Sequence, residues 1–253
     1  MATTAQLPAG FRLIALDTID STNEEAKRLA ATGTEHGTVV WARAQTAGKA
    51  RRGRRWVSEP GNLYCSFLLR PDCAANVAMQ ASFIAAVALA ETLSGLLDPS
   101  VHVACKWPND VLVDGRKVAG ILLETSTRRP GSVDWLVVGV GVNIAHYPSD
   151  AESPATSLAV AGRGDLDPLG VLSVFAGRLA SWLDRWKGQG FAPVRGRWLE
   201  YARGIGETVT VRLDDESIEG IFVGLDSDGA LMLAQGAATR RVSSGDVFLG
   251  RRH

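Results

Sequence analysis

The sequence predicts an α+β fold: a mixed or mainly antiparallel sheet with helices packed on it, followed by a compact all-β unit. Three observations lead there. Short β-rich runs alternate with a few helical stretches up to about residue 202, Asp114-Gly115 between apolar runs spells a β-hairpin, and after Gly204 the texture changes to short alternating strands.

The elements follow in order. Residues 11–16 read as a strand, and 22–31 as a helix with Ala26 and Leu29 on one face and Gly33 as its stop. Residues 38–44 are β-rich, 45–61 form a loop of Gly, Lys and Arg, and 63–69 are a strand ended by Pro71. Residues 77–97 carry helical periodicity with few β-branched residues, which predicts the main core helix. A strand over 101–106 is closed by Trp107-Pro108; the hairpin spans 111–125, and 133–144 form another buried strand. Helices are predicted over 169–187 and 192–202. Strands at 209–213, 218–225, 230–234 and 240–242, with turns at Asp228-Gly229 and Gly236, make a small antiparallel barrel. Two domains are therefore expected, 1–203 and 204–253.

Composition narrows the function. Of 253 residues, 46% are hydrophobic and 21% charged, with 27 Lys+Arg against 27 Asp+Glu. That balance is globular and argues against binding nucleic acid or anionic membrane through bulk charge. Three cysteines without a Cys-x-x-Cys pair fit a reducing compartment, and the four histidines do not fall at metal-ligand spacing. The first ten residues lack an apolar signal core, and the stretch 81–97 reads as too short and too polar to span a bilayer. A soluble cytoplasmic protein is the expectation.

Five segments carry candidate chemistry. Gln45-Thr-Ala-Gly-Lys-Ala-Arg-Arg-Gly-Arg-Arg-Trp56 packs five cations into the seven positions from Lys49 to Arg55. A solvated loop or a nucleic-acid patch is the plain alternative, but Gly48 and Gly53 allow the run to fold over a small polyanion. Like charges ~4 Å apart repel by about 4 kcal/mol at an effective dielectric of 20, so these side chains should converge only around an anion, in a loop ordered by its ligand. Lys106-Trp-Pro-Asn-Asp110 is either turn chemistry or a strand end that offers Lys106, Asn109 and Asp110 to a nucleotide and its metal. In Lys117-Val-Ala-Gly-Ile-Leu-Leu-Glu124, period 2 places Lys117 on the face of Ala119, Ile121 and Leu123, where a lysine needs an anion; Gly120 lies opposite and permits close backbone approach. Gly139, Gly141 and Asn143 form a bare track on one strand face, suited to a flat ligand or to tight packing under a helix. Ser21 to Glu24 has capping-box spacing, a helix start that can also bind a polar ligand. There is no Walker loop, dinucleotide fingerprint or hydrolase triad. The inventory suits bringing negative groups together.

In order and spacing, Ser21-Thr-Asn, QTAG-KARRGRRW, GNLYCSF, KWPND, KVAGILLE and GVGVN resemble bacterial biotin protein ligases over residues 16–143, with the C-terminal β-unit also in its expected place. The resemblance implies a class II synthetase-like mixed sheet plus a small SH3-like β-barrel. It also implies a two-step reaction: biotin and ATP, with Mg²⁺, give biotinyl-5′-AMP, and a lysine of a biotin carboxyl carrier protein then takes the biotinyl group. By the same match, Lys117, Arg51 and Asp110 are the catalytic candidates. Ser21, Thr22, Asn23, Gln45, Gly48, Lys49, Ala50, Arg51, Lys117, Gly120, Leu122, Gly139 and Gly141 face biotin. Arg51, Arg54, Trp56, Lys106, Asn109, Asp110, Lys117 and Asn143 face ATP or the adenylate, with Trp56 stacked on adenine or else in the core. No fixed metal site is implied, only Mg²⁺ arriving with ATP near Asp110.

Two departures stand out. The family loop usually reads GRGRRG, whereas here it reads GKARRG, with Lys49 and Ala50 in place of an arginine and a glycine. About ten residues precede the first strand, so the expectation is the monofunctional class, without a DNA-binding helix-turn-helix and without specific DNA binding. The competing readings are a lipoate- or octanoate-transferring enzyme on the same fold, disfavoured by KWPND and the arginine-rich loop, and a nucleic-acid-binding module, disfavoured by the charge balance. Homodimerisation is left open.

Overall fold

A computed structural model describes residues 5–129 and 132–249. In chain order its elements are β1 (Arg12–Ile19), α1 (Thr22–Ala31), β2 (Thr38–Gln45), β3 (Leu63–Leu69), α2 (Ala75–Ala78), α3 (Ala81–Leu96), β4 (Val103–Lys106), β5 (Asp110–Val113), β6 (Arg116–Arg129), β7 (Ser132–Val142), α4 (Pro168–Gln189) and α5 (Ala192–Tyr201). They are followed by β8 (Thr208–Arg212), β9 (Ser217–Leu225), β10 (Leu231–Gln235), β11 (Ala238–Val242) and β12 (Asp246–Leu249).

Seven strands form one sheet in the order β1-β2-β3-β7-β6-β5-β4. β1 and β2 are parallel and the other neighbours antiparallel, so the sheet is mixed as expected. Alternation along β3 shows how its two faces are used. Cys65, Phe67 and Leu69 enter the large core shared with α3 and α4, while Leu68 packs under Ala26 and Ala30 of α1 and Ser66 bonds to the start of that helix. Thus α1 covers one face and α3, α4 and α5 the other.

α3 is apolar on every side and buries twelve of its sixteen residues, because it lies between the sheet and α4 and α5. The expected single helix over 77–97 is broken at Met79-Gln80 into α2 and α3. Joined across that break, the wider stretch Ala75–Leu96 is by length and composition long and apolar enough to cross a membrane (22 residues, with an 18-residue window of mean hydropathy 1.5), which the reading of 81–97 alone did not include. Packing decides its place: 72% of the most apolar window is buried inside the protein, as in a core helix.

The β5–β6 hairpin turns at Asp114 (φ 48°) and Gly115 (φ 76°), the two positive φ values that a two-residue turn of this hand demands. β1 extends to Ile19 and β4 starts only at Val103, small shifts from the expected bounds.

After residue 204, five antiparallel strands form a second sheet, β11-β10-β9-β8-β12. It packs on the first unit through named contacts. Trp107 Nε1 donates to Gly229 O at 3.0 Å, and a Cβ on Gly229 would lie 2.6 Å from the Phe83 ring. The backbone of Arg203 continues from the β4 edge by donating to Cys105 O.

Candidate active site

A cavity of about 460 Å³ opens where the β7, β6 and β5 ends meet the start of α1, the cationic loop and β12. That volume lies in the range of small-molecule sites.

One wall is a hydrogen-bonded polar network. Thr22 donates its amide (2.8 Å) and hydroxyl (3.1 Å) to Gln45 Oε1; Gln45 Nε2 donates to Ser58 Oγ (2.8 Å), which donates to Trp56 O (2.9 Å). Ser66 Oγ lies 2.6 Å from Asn23 Oδ1, and Asn23 Nδ2 donates to Glu124 Oε2 at 2.8 Å. β2, β3 and α1 are thereby tied together where the loop departs.

Ser21 is the N-cap of α1 but makes no side-chain cap bond, so the expected capping box is not formed. Glu24 is drawn away by Lys27 (2.6 Å) and by Lys49, which hold its carboxyl below the usual carboxylate range. The buried Ser21 therefore lines the cavity with its hydroxyl unspent.

The opposite wall is charged. Lys117 Nζ lies 2.5 Å from Asp110 Oδ1 and 5.6 Å from the centroid of the Trp56 ring. Asp110 Oδ1 is buried and lacks an aligned hydrogen bond, so its link to Lys117 is a contact of opposite charges. A bulge between Val111 and Leu112 pairs Leu112 with Lys117 but Val111 with Ala119, leaving Val118 without a partner in β5. This corrects the strict alternation read from sequence. Lys117 shares the cavity with Gly120, Ile121 and Leu122, whereas Ala119 lies in the core alone; a Cβ on Gly120 would sit 3.4 Å from Lys117 Nζ. Lys106 faces the same space, 5.8 Å from the Phe248 ring centroid, and burial pushes its amine below the ordinary lysine range. Asn109 donates its amide to Ile121 O (2.6 Å) and accepts from Arg51 Nη1 (3.1 Å).

The cationic loop lies across the mouth as a strand-like pair, Lys49 with Arg55, around a 3₁₀ turn at Arg51–Gly53. Three of its five cations converge, and the protein itself supplies the anion. Arg51, Arg52, Arg54 and Arg212 all come within 4.0 Å of the Asp246 carboxylate, and Arg54 and Arg212 also pair with Glu152. This revises the expectation that only a bound anion draws them together. Arg51 is largely buried, and desolvation lowers its pKa while Asp246 opposes that.

Of the expected site residues, Ser21, Thr22, Asn23, Gln45, Lys49, Ala50, Arg51, Arg54, Trp56, Lys106, Asn109, Asp110, Lys117, Gly120, Leu122, Gly139, Gly141 and Asn143 all line this cavity. Gly48 does not. A Cβ there would come within 2.4 Å of Trp56 O and 2.5 Å of Ser58 Oγ, so its role is close packing at the loop base. The glycine track is also not bare. A Cβ on Gly139 would meet Asn23 Oδ1 at 2.1 Å, and one on Gly141 would meet the Trp56 ring at 2.6 Å. The track is filled by protein side chains, and Trp56 presents its ring above it. Asn143 is buried and donates to Thr156 O, holding the 156 segment.

Comparison with known proteins agrees with this architecture. The model of the biotin/lipoate A/B protein ligase family matches residues 55–200, and that of the biotin protein ligase C-terminal domain matches 204–250. The biotin–[acetyl-CoA-carboxylase] ligase of Paracoccus denitrificans is 42% identical over 236 residues, 91% of this chain and 98% of that one. The chain belongs to the biotin protein ligase family. The corresponding ligase of Mycobacterium tuberculosis is 33% identical, covering 90% of this chain and 85% of that one. Among solved structures, the biotin protein ligase of Aquifex aeolicus in complex with biotin and ATP superposes with a TM-score of 0.81 at 32% identity, covering 95% of this chain and 99% of that one.

Sequence reasoning missed two parts of this biotin protein ligase cavity: Asp246, Val247 and Phe248 of β12, and the 148–153 segment with Glu152. Asp246 meets Arg51 across 195 positions of chain, and no local pattern announces such a partner.

Proposed function

We propose that this chain is a biotin–[biotin carboxyl carrier protein] ligase. A biotin carboxylate oxygen attacks the α-phosphorus of ATP, pyrophosphate leaves, and biotinyl-5′-AMP remains in the cavity. The neutral amine of a carrier lysine then attacks the acyl carbon, an amide forms and AMP departs.

The observation that carries this reading is one cavity with an uncharged polar wall facing a charged wall of Arg51, Lys106, Lys117 and Asp110, with Asp150, Glu152 and Asp246 also on its lining. The first wall, with Ser21, Thr22, Asn23, Gln45, Gly139 and Gly141, suits the neutral, partly apolar biotin head. The second offsets repulsion as carboxylate and phosphate approach, with Lys117 and Arg51 next to the reacting oxygens. Arg54 and Asn143 complete the adenylate side, and Trp56 offers its ring to adenine. Lys49 and Ala50 close the loop over the intermediate, keeping water from the mixed anhydride. Asp110, beside Lys117, is the group to take the proton of the carrier lysine.

Among the described residues no three His, Cys, Asp or Glu side chains are grouped to hold a metal on their own. Mg²⁺ commonly binds through one or two carboxylates plus substrate phosphates and water. Asp110, with its unaligned buried oxygen, fits as that carboxylate. The metal, when bound, neutralises phosphate charge.

The catalytic unit is assigned to residues 1–203 and the second unit to 204–253, with the cytoplasm, where biotin, ATP and carrier meet, as the working compartment. Biotin-dependent exchange of labelled pyrophosphate into ATP tests the reading. Exchange with biotin but not with lipoate or octanoate supports it, and exchange with lipoate alone supports the transferase alternative.

A further inference from the structure

The loop cations divide into two groups. Lys49, Arg51, Arg54 and Arg55 line the cavity, whereas Arg52 does not. Arg52 has a left-handed backbone, φ 56° and ψ 35°, which residues with side chains adopt uncommonly. Its side chain leaves the cavity for the second sheet. Arg52 Nη2 lies 2.9 Å from Asp214 Oδ1, in the turn after β8, and Nη1 lies 3.3 Å from Asp246 Oδ2 at the start of β12. Asp246 is only 13% exposed, and its other oxygen, Oδ1, lies 3.4 Å from Arg51 Nη1. Two consecutive arginines thus hold the two oxygens of one carboxylate, one from the cavity side and one from outside.

We propose that Arg52 is a positioning residue for adenylate formation, docking the loop onto the C-terminal sheet so that Arg51 and Arg54 are presented to the reacting phosphate. The proposal rests on the ligase reading above. A guanidinium can bridge two carboxylates through separate N–H groups and so fix direction as well as distance, which an ammonium on a flexible stem does less well. A loop docked before the substrate arrives has less freedom to lose when it closes. The second sheet thereby acquires a part in the first chemical step through three side chains, Asp214, Asp246 and Arg52.

The test uses the full chain with Arg52→Gln and Arg52→Lys. Arg52→Gln is expected to raise amide hydrogen exchange across residues 48–56 in the ligand-free protein by about tenfold, the scale of one lost charge-assisted contact. It should lower kcat for biotin-dependent pyrophosphate exchange and speed biotinyl-AMP release by a similar factor, with the KM for biotin little changed. Arg52→Lys should recover part of each effect, because it keeps the charge but reaches one carboxylate. Wild-type turnover and release in Arg52→Gln overturn the proposal, whatever the loop amides do. If the wild-type protein makes no adenylate, the ligase reading itself has failed, and hydrogen exchange then reports loop docking alone.

Discussion

Lys117 Nζ and Asp110 Oδ1 lie 2.5 Å apart where β5 and β6 part around a bulge, so a lysine and a carboxylate of the charged wall face each other directly. Each is more than half shielded from solvent, and neither can be removed without exposing the other's charge to a poorly solvating site.

Lys117→Ala should therefore lose adenylate formation by at least ~100-fold, the scale of one removed electrostatic group in a closed site. The fold should persist with a lowered Tm, because the side chain supplies little packing but Asp110 is left without its counter-charge. Pyrophosphate exchange and thermal unfolding on the same sample check both. Near wild-type exchange would remove Lys117 from the mechanism.

Lys106 gives a pH-dependent prediction. Burial, the largest influence, pushes its amine below the ordinary value near 10.4, and Asp110 only partly offsets it. The folded state thus releases this proton at lower pH than the unfolded chain does. Between the lowered pKa and ~10.4 the unfolded state binds more protons, and the contribution to stability rises with pH. At neutral pH the group is a cost to folding. Lys106→Met should raise Tm at pH 7, with the gain shrinking as the pH rises toward 10, while the KM for ATP increases. Thermal melts across that range check the sign, and a gain that grows with pH would contradict it.

Gly139 is predicted to tolerate no side chain. A Cβ there would lie 2.1 Å from Asn23 Oδ1, and Asn23 is held by Ser66 and Glu124. Gly139→Ala should cost about 1–3 kcal/mol of stability, the usual range for overpacking, and weaken biotin binding by displacing Asn23. Calorimetric titration with biotin and a melt check it.

Lys49→Arg, by contrast, should change adenylate residence by less than about fivefold. The Lys49 amine is committed to Glu24, and a half-exposed pair of this kind is worth ~0–1 kcal/mol. Stopped-flow tryptophan fluorescence on preformed biotinyl-AMP complexes measures the off-rate. A tenfold slower release would show that an arginine at 49 reaches the intermediate directly.

The parts of this protein that were legible in its sequence are those whose causes are local. Asp114-Gly115 names its turn because only certain residues accept two positive φ values, and the composition of 81–96 names a core helix. The cluster of motifs placed eighteen of nineteen expected site residues on one cavity, Gly48 being the exception. What was not legible depends on pairing across the chain. Lys117 could not be given its correct face without the bulge opposite Val111 and Leu112. The Ser21–Glu24 spacing says capping box, but Lys27 and Lys49 outbid the helix for Glu24. Gly139 and Gly141 look empty until Asn23 and Trp56 are seen to fill them. Asp246, the carboxylate shared by four arginines, sits in a different sheet from the loop it holds.

Protection of the loop offers a further check. Trypsin should cut between Lys49 and Arg55 in the protein alone, and biotin plus ATP should slow that cleavage by drawing Arg51 and Arg54 onto the intermediate. Equal cleavage with and without both substrates would contradict closure of the loop on the adenylate.

The most direct measurement incubates the purified chain with biotin, ATP, Mg²⁺ and an isolated biotin-accepting carrier domain, and reads the carrier by intact-mass and peptide mass spectrometry. The account predicts a mass gain of one biotinyl group on a single carrier lysine, dependent on ATP and absent with Lys117→Ala. No gain with wild-type protein under these conditions, or an equal gain when lipoate replaces biotin, would contradict it.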